Sequence, residues 1–218
     1  MPTTERPVIF ANRAEAGRFL AHHLRDYAGR SDVLVLGLPR GGVPVAFEVA
    51  RSLRAPLDAF VVRKIGVPGY PELAIGAIAS GDSLFVDEPM LGMLGLERED
   101  IAAVIRRERL ELQRRESRYC GDRCAPDVRG RTVILVDDGL ATGSSMRVAV
   151  AALRERFPAR IVAAVPVGSE SGCHDLASVA DDVVCVETPE PFGGVGAWYR
   201  DFSPTSDAEV VALLARAT

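Results

Sequence analysis

The stretch Val133-Ile-Leu-Val-Asp-Asp-Gly-Leu-Ala-Thr-Gly-Ser-Ser145 brings two acids, a glycine-bearing turn and three hydroxyls together within a few residues. Four apolar residues carry the chain to a sheet edge, and a turn of small residues then opens into a helix. The first amides of a helix have no intrahelical partner and sit at its positive end, so Ala141, Thr142, Gly143, Ser144 and Ser145 form a ready anion site. Thr142, Ser144 and Ser145 add hydroxyl donors, and the small side chains let a phosphate approach the backbone closely. Asp137 and Asp138, just upstream, can only accept hydrogen bonds when ionised, which suits sugar hydroxyls beside that phosphate. A ribose 5-phosphate carries both features. No Gly-Lys-Ser/Thr closes the turn and no G-x-G-x-x-G is present, which excludes the P-loop and the dinucleotide fingerprint. A helix cap or a metal site of another α/β fold leaves the joint occurrence of acids, glycine turn and hydroxyls unexplained.

The elements that must position these residues follow from periodicity. Asn12 caps a predicted helix running to about Tyr27, with Ala14, Phe19, Leu20 and Leu24 as its apolar stripe. Asp32–Gly37 is a continuous apolar run, the pattern of a strand buried on both faces of a parallel sheet. Leu38–Gly42 reads as a loop, Val43–Leu53 as a helix, and Asp58–Val62 as a second strand ending at Arg63-Lys64. The same grammar returns with a strand at Thr132–Val136, a helix over Gly143–Phe157 and a strand at Arg160–Val165. A short helix near Asp175–Val179 and a strand at Asp182–Val186 complete it. This alternation predicts an α/β fold with a doubly wound, mainly parallel sheet, whose ligands bind at the carboxyl edge. One domain spans 1–218. Within it, 66–130 forms an insertion of a hairpin (Ala74–Ala79 with Leu84–Val86), a lid and a charged helix (Glu97–Tyr119). Residues 187–218 form a tail that contributes to a small hood.

The 218 residues carry 26 Lys+Arg against 30 Asp+Glu, a net charge of −4, with 48% hydrophobic and 26% charged residues. These proportions fit a globular domain and exclude a disordered chain. No apolar run reaches the roughly 18–20 residues needed to span a bilayer. The first residues also lack a basic stretch followed by a long apolar one. A cytoplasmic protein with no membrane partner is expected. Mild acidity argues against nucleic acid as a partner, and the arginines of the 97–119 helix are interleaved with glutamates, as in a solvated face laced with ion pairs. Cys120 and Cys124 make only half of a zinc pattern, Cys173 and Cys185 lie far downstream, and His22, His23 and His174 are not paired for a metal. Reduced thiols are expected.

The Val133–Ser145 stretch resembles the phosphoribosyl pyrophosphate (PRPP) binding motif of type I phosphoribosyltransferases. Gly139 departs from it, since that family usually has an aliphatic residue there. Leu38-Pro-Arg-Gly-Gly42 resembles the family's pyrophosphate loop, which often holds a non-proline cis peptide. LPRGGVPVAFEVA, RKIGVPGYPELAIGAI, VILVDDGLATG and FGGVGAWYRDF together are similar to stand-alone phosphoribosyltransferase-domain proteins over nearly the whole chain.

The resemblance implies transfer of the 5-phosphoribosyl group of PRPP to a nitrogen nucleophile, a nucleobase or another amine, with release of pyrophosphate. Asp137 and Asp138 would hold the ribose hydroxyls and, through water, Mg2+. Ala141–Ser145 would cradle the 5′-phosphate, and Arg40, Gly41, Gly42 and Lys64 would bind pyrophosphate. Among catalytic groups, Arg40 and Lys64 would stabilise the leaving group, and Glu72, in the Gly- and Pro-rich segment 66–72, would act on the acceptor from a mobile lid. Ala141 stands where 6-oxopurine enzymes have an aspartate, which favours other acceptors. Trp198 and Tyr199 either stack on a flat base or pack the tail onto the domain. A homodimer is common in this architecture. The alternative on the same fold is a non-catalytic nucleotide or PRPP sensor, or an RNA-binding regulator. A phosphohydrolase using Asp137 and Asp138 for metal is the remotest reading.

Overall fold

The computed structural model describes residues 8–120 and 126–217. In chain order its elements are α1 (Arg13–His23), β1 (Val33–Gly37), α2 (Gly42–Leu53), β2 (Leu57–Ala59), β3 (Val62–Val67), β4 (Tyr70–Ala79) and β5 (Ser83–Val86). There follow α3 (Glu88–Met93), α4 (Arg98–Cys120), β6 (Thr132–Val136), α5 (Ser144–Arg154), β7 (Arg160–Val167), α6 (Glu170–Leu176), β8 (Asp182–Glu187) and α7 (Asp207–Arg216). Five strands form a sheet in the order β2-β1-β6-β7-β8, every neighbouring pair parallel. A separate antiparallel sheet has the order β3-β4-β5.

The continuous apolar runs behave as a doubly covered sheet requires. Val33, Val35, Ile134, Val136, Val162 and Ala164 face one layer, packed against α1, α2 and α7. Leu34, Leu36, Val133, Leu135, Ile161 and Ala163 face the other, against α5, α6 and part of the small sheet. β1 lies beside β6 with Gly37 opposite Val136, so the loops leaving these two strands emerge side by side. The Leu38–Gly42 loop and the Ala141–Ser145 turn, far apart in sequence, thereby meet at one sheet edge.

Several local expectations change. The second core strand is only Leu57–Ala59. Phe60 N still reaches Gly37 O at 3.0 Å, but Val61 N then bonds Ser80 Oγ at 2.9 Å, which draws the chain into the small sheet. Arg63 and Lys64 therefore lie inside β3. Segment 66–72 is not an open loop, because β3 and β4 stay paired out to Val67 opposite Tyr70. The segment expected to act as a lid is a hairpin whose tip is Pro68-Gly69, and Gly69 takes φ +84°, a left-handed value that favours glycine. The 3₁₀ turn Arg25–Tyr27 ends the first helical run after α1. Helix α6 begins earlier than expected because Ser169 Oγ caps it by accepting from Gly172 N. The short α3 was not anticipated; Asp87 caps it, with Pro89 in its first turn.

Cys173 on α6 and Cys185 on β8 are joined as a disulfide, Cα atoms 6.4 Å apart, in place of the expected reduced thiols. Their sulfurs meet over Gly168, where a Cβ would lie 2.6 Å from one and 2.8 Å from the other. Cys124 and the side chains of Cys120 and Glu72 lie outside the described residues. Helix α4 carries the Arg115–Glu111 pair that its charge pattern predicted, and it also pairs with other segments: Glu108 with Arg63, Arg109 with Asp82, and Arg118 with Asp207. Among the described residues no helix is long and apolar enough to cross a membrane.

Candidate functional site

The end of β6 delivers Asp137 and Asp138 to the seam beside the Leu38–Gly42 loop. Asp137 accepts from the Asp138 amide at 2.8 Å. Asp138 Oδ2 accepts from Arg13 Nε at 2.8 Å, and its carbonyl accepts from the Tyr199 hydroxyl at 2.5 Å. Burial, then the adjacent charge of Asp138, push the Asp137 carboxyl well above the usual carboxylate range. Burial also raises Asp138, while Arg13 pulls it back by donating to it and by its charge. Two crowded acids of this kind are relieved by donors or a cation, which a polyol ligand or a hydrated metal supplies.

Past the acids, Gly139 fits because Val195 occupies the neighbouring space; a Cβ there would sit 2.4 Å from Val195 Cγ1. The departure from an aliphatic residue thus has a steric cause in the tail. Leu140 pairs with the strand after it, donating to Val167 O at 3.0 Å and accepting from Ser169 N at 2.8 Å. Ser169 Oγ also donates to Ala141 O, so the turn leans on the shoulder of α6. Gly143, at φ +70°, is the N-cap of α5 and brings no side chain to that helix end. Thr142 Oγ1 accepts from Ser144 N at 3.5 Å, and the start of α5 has no other side-chain cap, an arrangement that can take an anion. Lys64 projects across from β3 with Nζ 2.6 Å from Ser144 Oγ, so its ammonium faces this turn.

In the facing loop the Pro39–Arg40 peptide is cis, as the resemblance implied. Gly42 N donates to Leu38 O at 3.0 Å, so that amide is committed within the loop. What Gly42 contributes is its missing side chain: a Cβ would lie 2.6 Å from Val136 O and 2.9 Å from Asp137 Cα. At Gly41 a Cβ would fall 2.0 Å from Asp138 Oδ2. At Gly41 and Gly42 the two loops come close enough that only glycine fits. The Arg40 side chain is exposed, and its charge is felt at Tyr119 and Asp207, where α4 meets α7.

Of the residues singled out from sequence, the structure brings Asp137, Asp138, Gly41, Gly42, Lys64 and the Ala141–Ser145 turn together at the seam, while the exposed Arg40 side chain is felt at Tyr119 and Asp207 instead. The indole of Trp198 does not face it: Trp198 is 9% exposed, its Nε1 bonds Phe192 O at 2.8 Å, and it packs with Phe10 and Tyr199. Arg13 and the Tyr199 hydroxyl were missed; neither has a local signal, since each acts on Asp138 from a distant segment. A cavity of about 900 Å³ opens between the start of α6 and residues 189–192, with Ser169, His174 and Phe192 in its wall. Another, of about 500 Å³, lies against Lys64, Gly66 and Arg107. Among the described residues no group of three or more His, Cys, Asp or Glu could hold a metal ion by itself.

The family model for the phosphoribosyl transferase domain matches residues 9–199. Two Mycobacterium tuberculosis proteins named "Putative phosphoribosyl transferase" are each 46% identical over 209 residues, which is 96% of this chain and 47% of theirs. The chain thus spans about half the length of these relatives. A ribose-phosphate pyrophosphokinase of Methanopyrus kandleri is 31% identical over 69% of this chain and 60% of its own. The crystal structure of TT1426 from Thermus thermophilus superposes with a TM-score of 0.88 at 41% identity, covering 96% of this chain and 99% of that one.

Proposed function

Because the chain belongs to the phosphoribosyl transferase domain family, we propose that it transfers the 5-phosphoribosyl group of PRPP to a nitrogen nucleophile, with a nucleobase as the favoured acceptor. The observation that carries this reading is the seam itself. A hydroxyl-rich helix start and an arginine-bearing loop flank two adjacent, crowded acids, and the loop closes on them at Gly41 and Gly42. PRPP presents a phosphate, a diol and a pyrophosphate in that order.

In this reading the α5 turn holds the 5′-phosphate, Asp137 and Asp138 accept from the ribose hydroxyls, and the 38–42 loop takes the pyrophosphate; Lys64, expected from the sequence at the pyrophosphate, is reassigned to the 5′-phosphate because its ammonium meets Ser144. The C1–oxygen bond to pyrophosphate breaks as the nitrogen attacks from the opposite face, through a transition state of oxocarbenium character. Arg40 stabilises charge developing on the leaving group, and the seam fixes the attack line. The donor set suits Mg2+, which binds through substrate oxygens and water and asks for few protein ligands; Asp137 and Asp138 would hold it indirectly. When bound it neutralises the pyrophosphate. Glu72 remains the acceptor-side candidate, on the strand that follows the hairpin tip.

PRPP with Mg2+ at 100 times its Kd is expected to stabilise the protein by about 2.7 kcal/mol, a rise in Tm of roughly 5–11 °C. Asp137→Asn combined with Asp138→Asn should abolish it. An unchanged melting curve at saturating PRPP refutes the assignment. Pyrophosphate release scanned over nucleobases and amines then identifies the acceptor.

A further inference from the structure

We infer that Arg13 is a positioning residue: it pins the Asp138 carboxylate against Gly41 and thereby fixes the sugar-holding acid relative to the pyrophosphate loop. The inference rests on the reading of the seam given above. Arg13 belongs to α1, an element that otherwise packs behind the sheet, and it is the first residue of that helix. A cation is the wrong sign for the positive end of a helix, so its place there needs an opposing interaction.

The surroundings supply one in detail. Arg13 Nε meets Asp138 Oδ2 at 2.8 Å while Nη1 donates to Ser203 O at 2.8 Å. The guanidinium lies 4.1 Å from the centroid of the Phe202 ring, which itself stacks near Tyr199 at 5.0 Å. The Arg13 and Asp138 side chains are only 12% and 15% exposed, so the pair is shielded from solvent. Gly41 closes the arrangement: the position of its absent Cβ is 2.0 Å from Asp138 Oδ2 and 3.3 Å from Arg13 Nε. The planar fork of an arginine, held at two points and over a ring, leaves the acid one orientation. With Oδ2 engaged by Arg13, Oδ1 is the oxygen left for a sugar hydroxyl. Outer groups that orient ligand-holding residues in this way act through geometry rather than contact.

The test uses isothermal calorimetry with two probes, ribose 5-phosphate and inorganic phosphate. The second reads the α5 turn alone. Wild type should prefer ribose 5-phosphate. Arg13→Met should weaken ribose 5-phosphate by about tenfold or more, an expectation for loss of a charged hydrogen-bonding partner, and leave phosphate within about twofold. Arg13→Lys, which restores the charge, should recover part of the loss. Arg13→Met added to Asp138→Asn should cost nothing further, since the effect passes through that acid. Phe202→Leu, at a half-exposed ring, gives a milder version of the same pattern should Arg13→Met fail to fold. Equal weakening of both probes, no weakening, or losses that add to those of Asp138→Asn overturn the role of Arg13. A wild-type protein that does not distinguish the two probes overturns the reading of the seam instead.

Discussion

Replacing Gly42 by alanine tests whether the two loops are held together at the spacing described. The new Cβ would sit 2.6 Å from Val136 O and 2.9 Å from Asp137 Cα, both backbone atoms of a central strand and its exit. Restoring an ordinary contact of roughly 3.4 Å requires the start of α2 to retreat by about 0.8 Å from the 2.6 Å position. Val136 O also accepts from Leu38 N at 2.9 Å, so the retreat strains the bond that ties the loop to β6. Overpacking of this kind costs about 1–3 kcal/mol, which for a domain this size lowers Tm by roughly 2–12 °C. A ligand touching both loops suffers more than one touching a single loop. PRPP affinity should fall by roughly tenfold or more, because sub-ångström misplacement already degrades positioning, while inorganic phosphate binds as before. Gly92→Ala is the control: it lies in α3 with open space around it, so it should be neutral or stabilise by up to about 1 kcal/mol. Differential scanning fluorimetry and calorimetry read both variants. A Gly42→Ala protein that melts with the wild type and binds PRPP equally well would refute the steric argument.

Three other expectations follow from the same seam. The folded Asp137 carboxyl titrates above its unfolded value near 3.9, so its contribution to stability is complete below that value and is lost as pH rises through the folded one. Asp137→Asn should therefore gain on wild type in urea denaturation as pH is raised from about 4 to 8; a constant or shrinking gap contradicts the burial argument. Gly139→Ala should destabilise by about 1–3 kcal/mol, and adding Val195→Ala should recover most of it; a loss the double variant retains shows that Val195 is not the obstacle. Lys64→Met should weaken ribose 5-phosphate by roughly ten- to hundredfold, the worth of a charged hydrogen bond, and flatten the salt dependence of binding. Unchanged affinity would place the ammonium elsewhere in solution.

Much of the donor half of the seam is legible from local sequence, because each loop is encoded next to the strand that carries it. An apolar run buried on both faces, then acids, then a small-residue turn specifies β6, the acid pair and the start of α5 without reference to anything remote. The same holds for β1 and the 38–42 loop. Contacts across the fold are a different matter. Arg13 reaches Asp138 from a helix whose own pattern shows only an N-cap and an apolar stripe, and Val195 reaches Gly139 from the tail. The transfer of the chain from β2 to β3 depends on Ser80 capturing Val61, a pairing no propensity predicts. Cys173 and Cys185 show no motif spacing; they meet because α6 packs beside β8 in the fold.

The ladder between β1 and β6 joins two stretches of chain that everything from β2 through α4 separates. Length, charge and shape can drift in that excursion while the backbone pairing of Gly37 with Val136 stays in register. Mutations at the hairpin tip or on the exposed face of α4 change what approaches the seam from outside, whereas Lys64 on β3 and the β4 residues packed under α5 are tied to it. Diversification on this scaffold has a fixed half and a free half, and the boundary between them runs along a single pair of neighbouring strands.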